Sequence, residues 1–294
     1  CMEEQKERAR AARGDIESFH KQSKDLLEFK TPSEFVYHQE SLKAKVTGLF
    51  VDGNAVEEMD EEGDVAFDLT PFYAEMGGQV SDTGTLKNDS VLGTITHVGK
   101  APAGQHLHHV HLQYGHLSVG DEVELVLNSK RRHLIERNHS ATHLLHAAIS
   151  EILGKHVEQK GSYVDENYLR FDFTSMDKLS SEDLSKIETL VNEKIAETIP
   201  EETKILPVEE AKNLGAEMEF SEKYGSVVRV VCFEDFSKEF CGGTHVKNTS
   251  EIGLFVLESE SSVSAGTRRI QARTSLGAYQ YLRRKSEVLA SVES

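Results

Sequence analysis

Two short stretches hold the residues best suited to chemistry. R-N-H-S-A-T-H-L-L-H sets His139 and His143 at i and i+4, and F-C-G-G-T-H-V sets Cys241 and His245 four apart around Gly242 and Gly243. On a helix, an i, i+4 pair leaves one face a single turn apart, so both imidazoles can converge on one ion at about 2.0–2.1 Å each. Cys and His on a glycine-softened turn supply two more donors, making a His₃Cys set. Thiolate plus imidazole favours zinc over magnesium or calcium. No Glu stands between the two helical histidines, so the base of an H-E-x-x-H metalloprotease is missing. His146 falls near the same face, three residues on, and is read as a decoy rather than a ligand. H-L-H-H-V-H, residues 106–111, is read as strand histidines facing solvent.

The elements that must position these donors can be read from texture. Residues 2 to about 29 are rich in Glu, Lys, Arg, Gln and Ala and read as one helix, stopped by Thr31-Pro32. From about 35 to 127, short alternating runs broken by Gly, Asn and Asp predict a small β-barrel. A helix with apolar residues at Leu134, Ile135, Ala141, Leu145, Ala148 and Ile152 then runs from Asn128-Ser129 to Gly154. L-R-F-D-F and V-V-R-V-V-C-F read as strands, and S-S-E-D-L-S-K-I-E-T-L-V as a serine-capped helix. The fold class expected is α+β: an N-terminal linker helix (1–34), a β-barrel subdomain (35–127), a mixed α/β zinc-binding domain (128–275) and a C-terminal helix (276–294).

Composition bounds the function. The 294 residues suffice for two cores, and no apolar run approaches the roughly 20 residues of a membrane span. Three cysteines, one of them terminal, fit a reducing cytoplasm rather than a disulfide framework. The net charge of −17 argues against nucleic acid, but residues 51–90 carry eleven acidic side chains against one basic, so −10 of it lies in one segment. Basic clusters at 130–132, 268–269 and 283–285 leave room for a local RNA-facing surface.

H-S-A-T-H, Q-K-G-S (159–162), L-R-F-D-F, C-G-G-T-H, F-Y-A-E-M-G-G-Q (72–79) and A-G-T-R-R-I (265–270) together resemble the editing domain of alanyl-tRNA synthetases. The match runs in order through most of residues 40 to 275. The leading E-Q-K-E-R-A-R-A-A-R resembles the helix that joins that family's tRNA-binding region to its editing domain, so the chain reads as an internal piece of a longer enzyme. It departs from the family pattern at Met76, Thr267 and Gln271, none of which touches the four donors.

The resemblance implies hydrolysis of Ser or Gly from the tRNA for alanine at a site with one zinc. It implies catalytic roles for Gln159 and Thr142, substrate binding by Gly77, Gly78, Arg268 and Arg269, and zinc ligation by His139, His143, Cys241 and His245. ATP belongs to the synthetic domain of the longer enzyme, of which no segment is visible here. Two other readings stay open: a zinc-stabilised RNA-binding module without catalysis, and a zinc hydrolase acting on small esters. Whether the zinc is structural or catalytic stays open too.

Overall fold

In the computed structural model, which describes residues 23–218 and 225–293, the alternating stretch after residue 40 closes on itself. Strands Ser41–Val51, Glu62–Phe67, His106–Tyr114, Leu92–Lys100, Gly84–Lys87 and Glu122–Leu127 form an antiparallel ring, and the last pairs back onto the first through Glu122↔Lys45 and Val126↔Ser41. Closure removes the sheet edges that would otherwise invite pairing with another chain. Leu49, Val65, Phe67, Leu86, Ile95 and Val110 fill the interior. D-G makes the tightest turn: Asp52 and Gly53 both have positive φ, 49° and 79°, and join Val51 to Asn54 as a two-residue hairpin.

One expectation on the barrel fails. His106 and His108 are buried, not solvent-facing, and only His109 and His111 point outward. Inward alternation carries His108 between Phe67 and Phe72, where its Nε2 meets Thr70 Oγ1 at 2.7 Å and its Nδ1 meets the Val65 carbonyl at 2.9 Å. A buried histidine is tolerated there because both ring nitrogens are bonded.

The chain falls into two compact units: the described residues up to Met76 with Ser81–Ser129, and Gly77–Val80 with the described residues from Lys130 onward. The second holds a four-stranded antiparallel sheet, ordered Gln159–Val164, Leu169–Thr174, Thr267–Thr274, Phe255–Ser264, and a three-stranded one, ordered Glu201–Pro207, Val227–Phe233, Ser237–Phe240. Helices Ser129–Leu153 and Ser181–Ala196 contribute Leu144, Leu145, Ala148, Ile187 and Val191 to one core with Phe171. Ser180 caps the second helix by accepting the Asp183 N–H at 3.0 Å. Gly154, at φ 107°, ends the first. The C-terminal helix spans Ser275–Glu293. Of the expected N-terminal helix, residues 1–22 lie outside the described ones, and the remainder is Lys24–Glu28, capped by Ser23.

Candidate metal centre

An amphipathic surface helix buries a stripe. Helix Ser129–Leu153 instead buries every residue from Asn138 to His146, polar ones included. Burial on all sides requires a partner for each polar group, and those partners build the site.

His139, His143, Cys241 and His245 each bring one donor atom within 4.8 Å of the others. The strand-to-loop run after Phe240 delivers Cys241 and His245 to the helix face carrying His139 and His143. Cys241 Sγ lies 3.5 Å from His139 Nε2 and 3.3 Å from His245 Nε2. Sulfur and nitrogen bound tetrahedrally to zinc at about 2.3 and 2.0 Å would stand about 3.5 Å apart, so this spacing fits the ion. His143 Nδ1 is buried without a hydrogen-bond partner. Burial, reinforced by the neighbouring imidazole and Arg229, pushes His139 and His245 well below their usual pKa; burial likewise lowers His143. All three are therefore neutral donors near pH 7.

The surrounding shell fixes the rings. Gln79 Oε1 accepts the Thr244 backbone N–H at 3.0 Å, which identifies that atom as the carbonyl oxygen. His139 Nδ1, 2.6 Å from the same oxygen, must then be the donor, leaving Nε2 with its lone pair. Gln79 Nε2 donates to Thr244 Oγ1 at 2.9 Å. Ser140 Oγ meets His245 Nδ1 at 3.0 Å and accepts the Val246 N–H at 3.1 Å. Arg229 clamps the turn from below, donating to the carbonyls of Cys241 and Gly243 at 2.8 and 3.0 Å. Gly243 has no room for a side chain, because a Cβ would overlap His139 Cε1.

His146 stays outside the donor set. Its Nδ1 pairs with the partly buried carboxylate of Glu239 at 3.1 Å, and Glu239 Oε2 lies 3.6 Å from His143 Nε2. Burial alone would lower His146, but the Glu239 charge and hydrogen bond outweigh it and raise its pKa. Glu239 is in turn held low by His143 and His146 against the upward push of burial.

The remaining sequence candidates fall in several places. Gly77 and Gly78 take positive φ, 60° and 82°, and a Cβ at Gly78 would meet the Ser162 carbonyl at 2.6 Å. Their run pairs along the Q-K-G-S strand through Gly78 O to Val164 N–H at 2.8 Å, which brings Gln79 to the donors. Thr142 is buried and its hydroxyl donates to the Asn138 carbonyl of its own helix at 2.8 Å. Gln159 opens its strand half-buried, opposite Phe173 at a β-bulge. Arg269 forks onto Asp172 with two 2.7 Å bonds, and Arg268 pairs with Glu260. Both arginines are therefore already engaged with carboxylates.

Sequence reading missed Gln79, Ser140, Arg229 and Glu239. Gln79 stands in G-G-Q beside Gly77 and Gly78. Arg229 was the lone charge within an apolar strand, a signal of a buried partner.

Comparison with known proteins identifies the family. Residues 1–131 match the family described as tRNA synthetases class II (A), and residues 228–271 match the threonyl and alanyl tRNA synthetase second additional domain. Alanine–tRNA ligase of Bacillus velezensis is 47% identical across 98% of this chain and 33% of its own length. The ligase of Lactobacillus johnsonii is 46% identical over 99% and 33%, and that of Geobacillus thermodenitrificans 45% over 99% and 33%. The chain thus spans about a third of the length of the curated relatives it matches. On these matches, which run nearly end to end, the chain belongs to the alanyl-tRNA synthetase family.

Proposed function

We propose that this chain is the editing part of an alanine–tRNA ligase, hydrolysing the ester that joins Ser or Gly to the tRNA for alanine. The convergence of three neutral imidazoles and one thiol carries the reading. The full-length enzyme would ligate alanine to its tRNA with ATP, and the physics of that task creates the need for editing. An alanine pocket rejects glycine only through a missing methyl, about 1–3 kcal/mol, and rejects an added hydroxyl only about 100-fold. A second, hydrolytic site supplies the rest.

His139, His143, Cys241 and His245 would hold zinc, which when bound supplies Lewis acidity toward an ester carbonyl or a water. Gln79, Ser140 and Arg229 hold the donors in place, so little reorganisation accompanies reaction. Glu239 and His146 keep a proton buried next to His143. Thr142 has its hydroxyl proton directed at Asn138, so its free lone pairs suit the O–H of a seryl substrate. Gln159 positions the ester. Gly77 and Gly78 admit close backbone approach at the substrate side. Arg268 and Arg269, steadied by their carboxylates, turn their remaining N–H groups to phosphate. No helix among the described residues is long and apolar enough to cross a membrane, and the reading places the activity with translation in the cytoplasm.

The test is release of labelled serine or glycine from mischarged tRNA by the purified chain, with correctly charged tRNA as control. Hydrolysis of the mischarged ester alone is expected. Protection of the ester would replace the proposal with an RNA-binding module, and turnover of small esters without RNA would replace it with an unrelated hydrolase.

A further inference from the structure

The outer face of the barrel holds a second group of metal-ligating side chains. Strands Glu62–Phe67 and His106–Tyr114 run antiparallel with Glu62 opposite His111 and Asp64 opposite His109. Pleating sends these four side chains to the same face, two from each strand. His109 Nε2 lies 3.2 Å from Glu62 Oε1, and His111 Nδ1 lies 2.9 Å from Glu62 Oε2. The two imidazole centroids are 4.9 Å apart. One donor atom from each of Glu62, His109 and His111 falls within 4.8 Å of the others.

We propose that Glu62, His109 and His111 form a second cation site, which takes a late first-row divalent ion such as zinc, cobalt, nickel or copper. Three features favour an ion over a simple surface ion-pair network. The buried carboxylate of Asp64 meets His109 Nδ1 at 3.0 Å and leaves Nε2 to face Glu62, the carboxylate–histidine arrangement that orients metal-bound imidazoles. The two histidines stand on one strand of a closed barrel and Glu62 on its paired neighbour, so the backbone that carries the donors is fixed before any ion arrives, which lowers the entropic cost of binding. Imidazole nitrogen with carboxylate oxygen selects late transition ions rather than magnesium or calcium. Glu62 and His111 are about half exposed, with side-chain accessibilities of 55% and 46%, which leaves coordination positions for water or a further ligand. The site contains no thiolate and shares no residue with the His₃Cys group. It stands whether or not the editing proposal holds.

The experiment uses cobalt(II) as the probe on the whole chain at mildly alkaline pH, where imidazole is neutral. Bound equivalents come from equilibrium dialysis and the coordination type from absorption. Cobalt on Cys241 gives a near-ultraviolet thiolate charge-transfer band; cobalt on the barrel gives only weak d–d bands. Wild type is expected to bind a second equivalent without growth of the thiolate band. His109→Ala/His111→Ala should lose that equivalent and keep the band, and Glu62→Gln should weaken it at least several-fold. His111→Gln, an exposed single change, gives the same reading should the double variant fold poorly. A wild type that binds no thiolate-independent cobalt, or a second equivalent that survives loss of both histidines, overturns the proposal and leaves an imidazolium–carboxylate network only.

Discussion

Gln79 and His139 are joined by a 2.6 Å contact from amide oxygen to ring nitrogen, and the same oxygen holds the Thr244 N–H at 3.0 Å. One buried amide therefore ties the helical half of the donor set to the loop half. Gln79→Leu would strand two buried N–H groups, at about 1–3 kcal/mol each. It should also weaken zinc binding about 10- to 100-fold, the usual cost of losing such a support. Gln79→Glu keeps an acceptor for both N–H groups and should lose less. Chelator competition on both variants measures this, and wild-type zinc affinity in Gln79→Leu would remove Gln79 from the site's architecture.

Gly243→Ala separates packing from ligation, because no donor is deleted. The added methyl would displace the His139 ring and press on Gln79 Oε1. The expected result is loss of zinc affinity with little change in far-ultraviolet circular dichroism. Retention of full affinity would mean that the turn relaxes freely, against the two Arg229 bonds that grip it.

The barrel should be sensitive to acid. Burial pushes His108 down to about 4 from 6.5, and burial together with Lys100 and His108 pushes His106 down to about 3. Between 6.5 and about 4 the unfolded chain binds protons that the folded barrel refuses, so stability rises with pH across that window and falls on acidification. Each group contributes a slope of up to about 1.4 kcal/mol per pH unit. Urea midpoints followed by circular dichroism, since the chain has no Trp, should fall from pH 6.5 toward 4. His108→Gln should flatten that fall; an identical acid limb in the variant would reject the assignment.

The same histidines show what a sequence conceals. Alternation in H-L-H-H-V-H correctly divides the four into two faces, but it does not say which face is inside, because His scores as polar and the Thr70 partner lies 38 residues away. The donor pairs were legible because i, i+4 spacing and C-G-G-T-H are local. Gln79 and Glu239 were not, because their roles arise from pairings 60 and 93 residues distant. Helix ends fared well for the converse reason: Ser180 and Gly154 act on their own neighbours. Arg268 and Arg269 read from sequence as candidates for substrate and phosphate contact, and the carboxylates that engage them, Glu260 and Asp172, arrive from other strands.

The observed pairing of Arg269 with Asp172 and its proposed contact with phosphate can be separated. Removing it in Arg269→Ala leaves Asp172 with the more distant Arg170, at 3.9 Å, and should lower the unfolding midpoint. If its outward N–H groups also meet phosphate, the slope of log affinity for tRNA against log salt should fall by about one. An unchanged slope with lowered stability would confine Arg269 to structure.

Cys241→Ala tests whether a metal held at this centre would work or merely brace. The change removes the only sulfur among the four donors and the acceptor of the Gly243 N–H. The core around Phe171, Phe173, Ile187 and Phe255 is assembled from other strands and helices, and Cys241 lies only at its margin. The fold should therefore survive while the donor set does not. Ser-tRNA is expected to persist in the presence of the variant, with an unfolding midpoint within a few degrees of wild type. Undiminished serine release would refute a catalytic role for this centre, whereas collapse of the second unit would make the ion a structural brace. Running both measurements on one sample distinguishes the two, because a brace fails in stability first and a working centre fails in chemistry first.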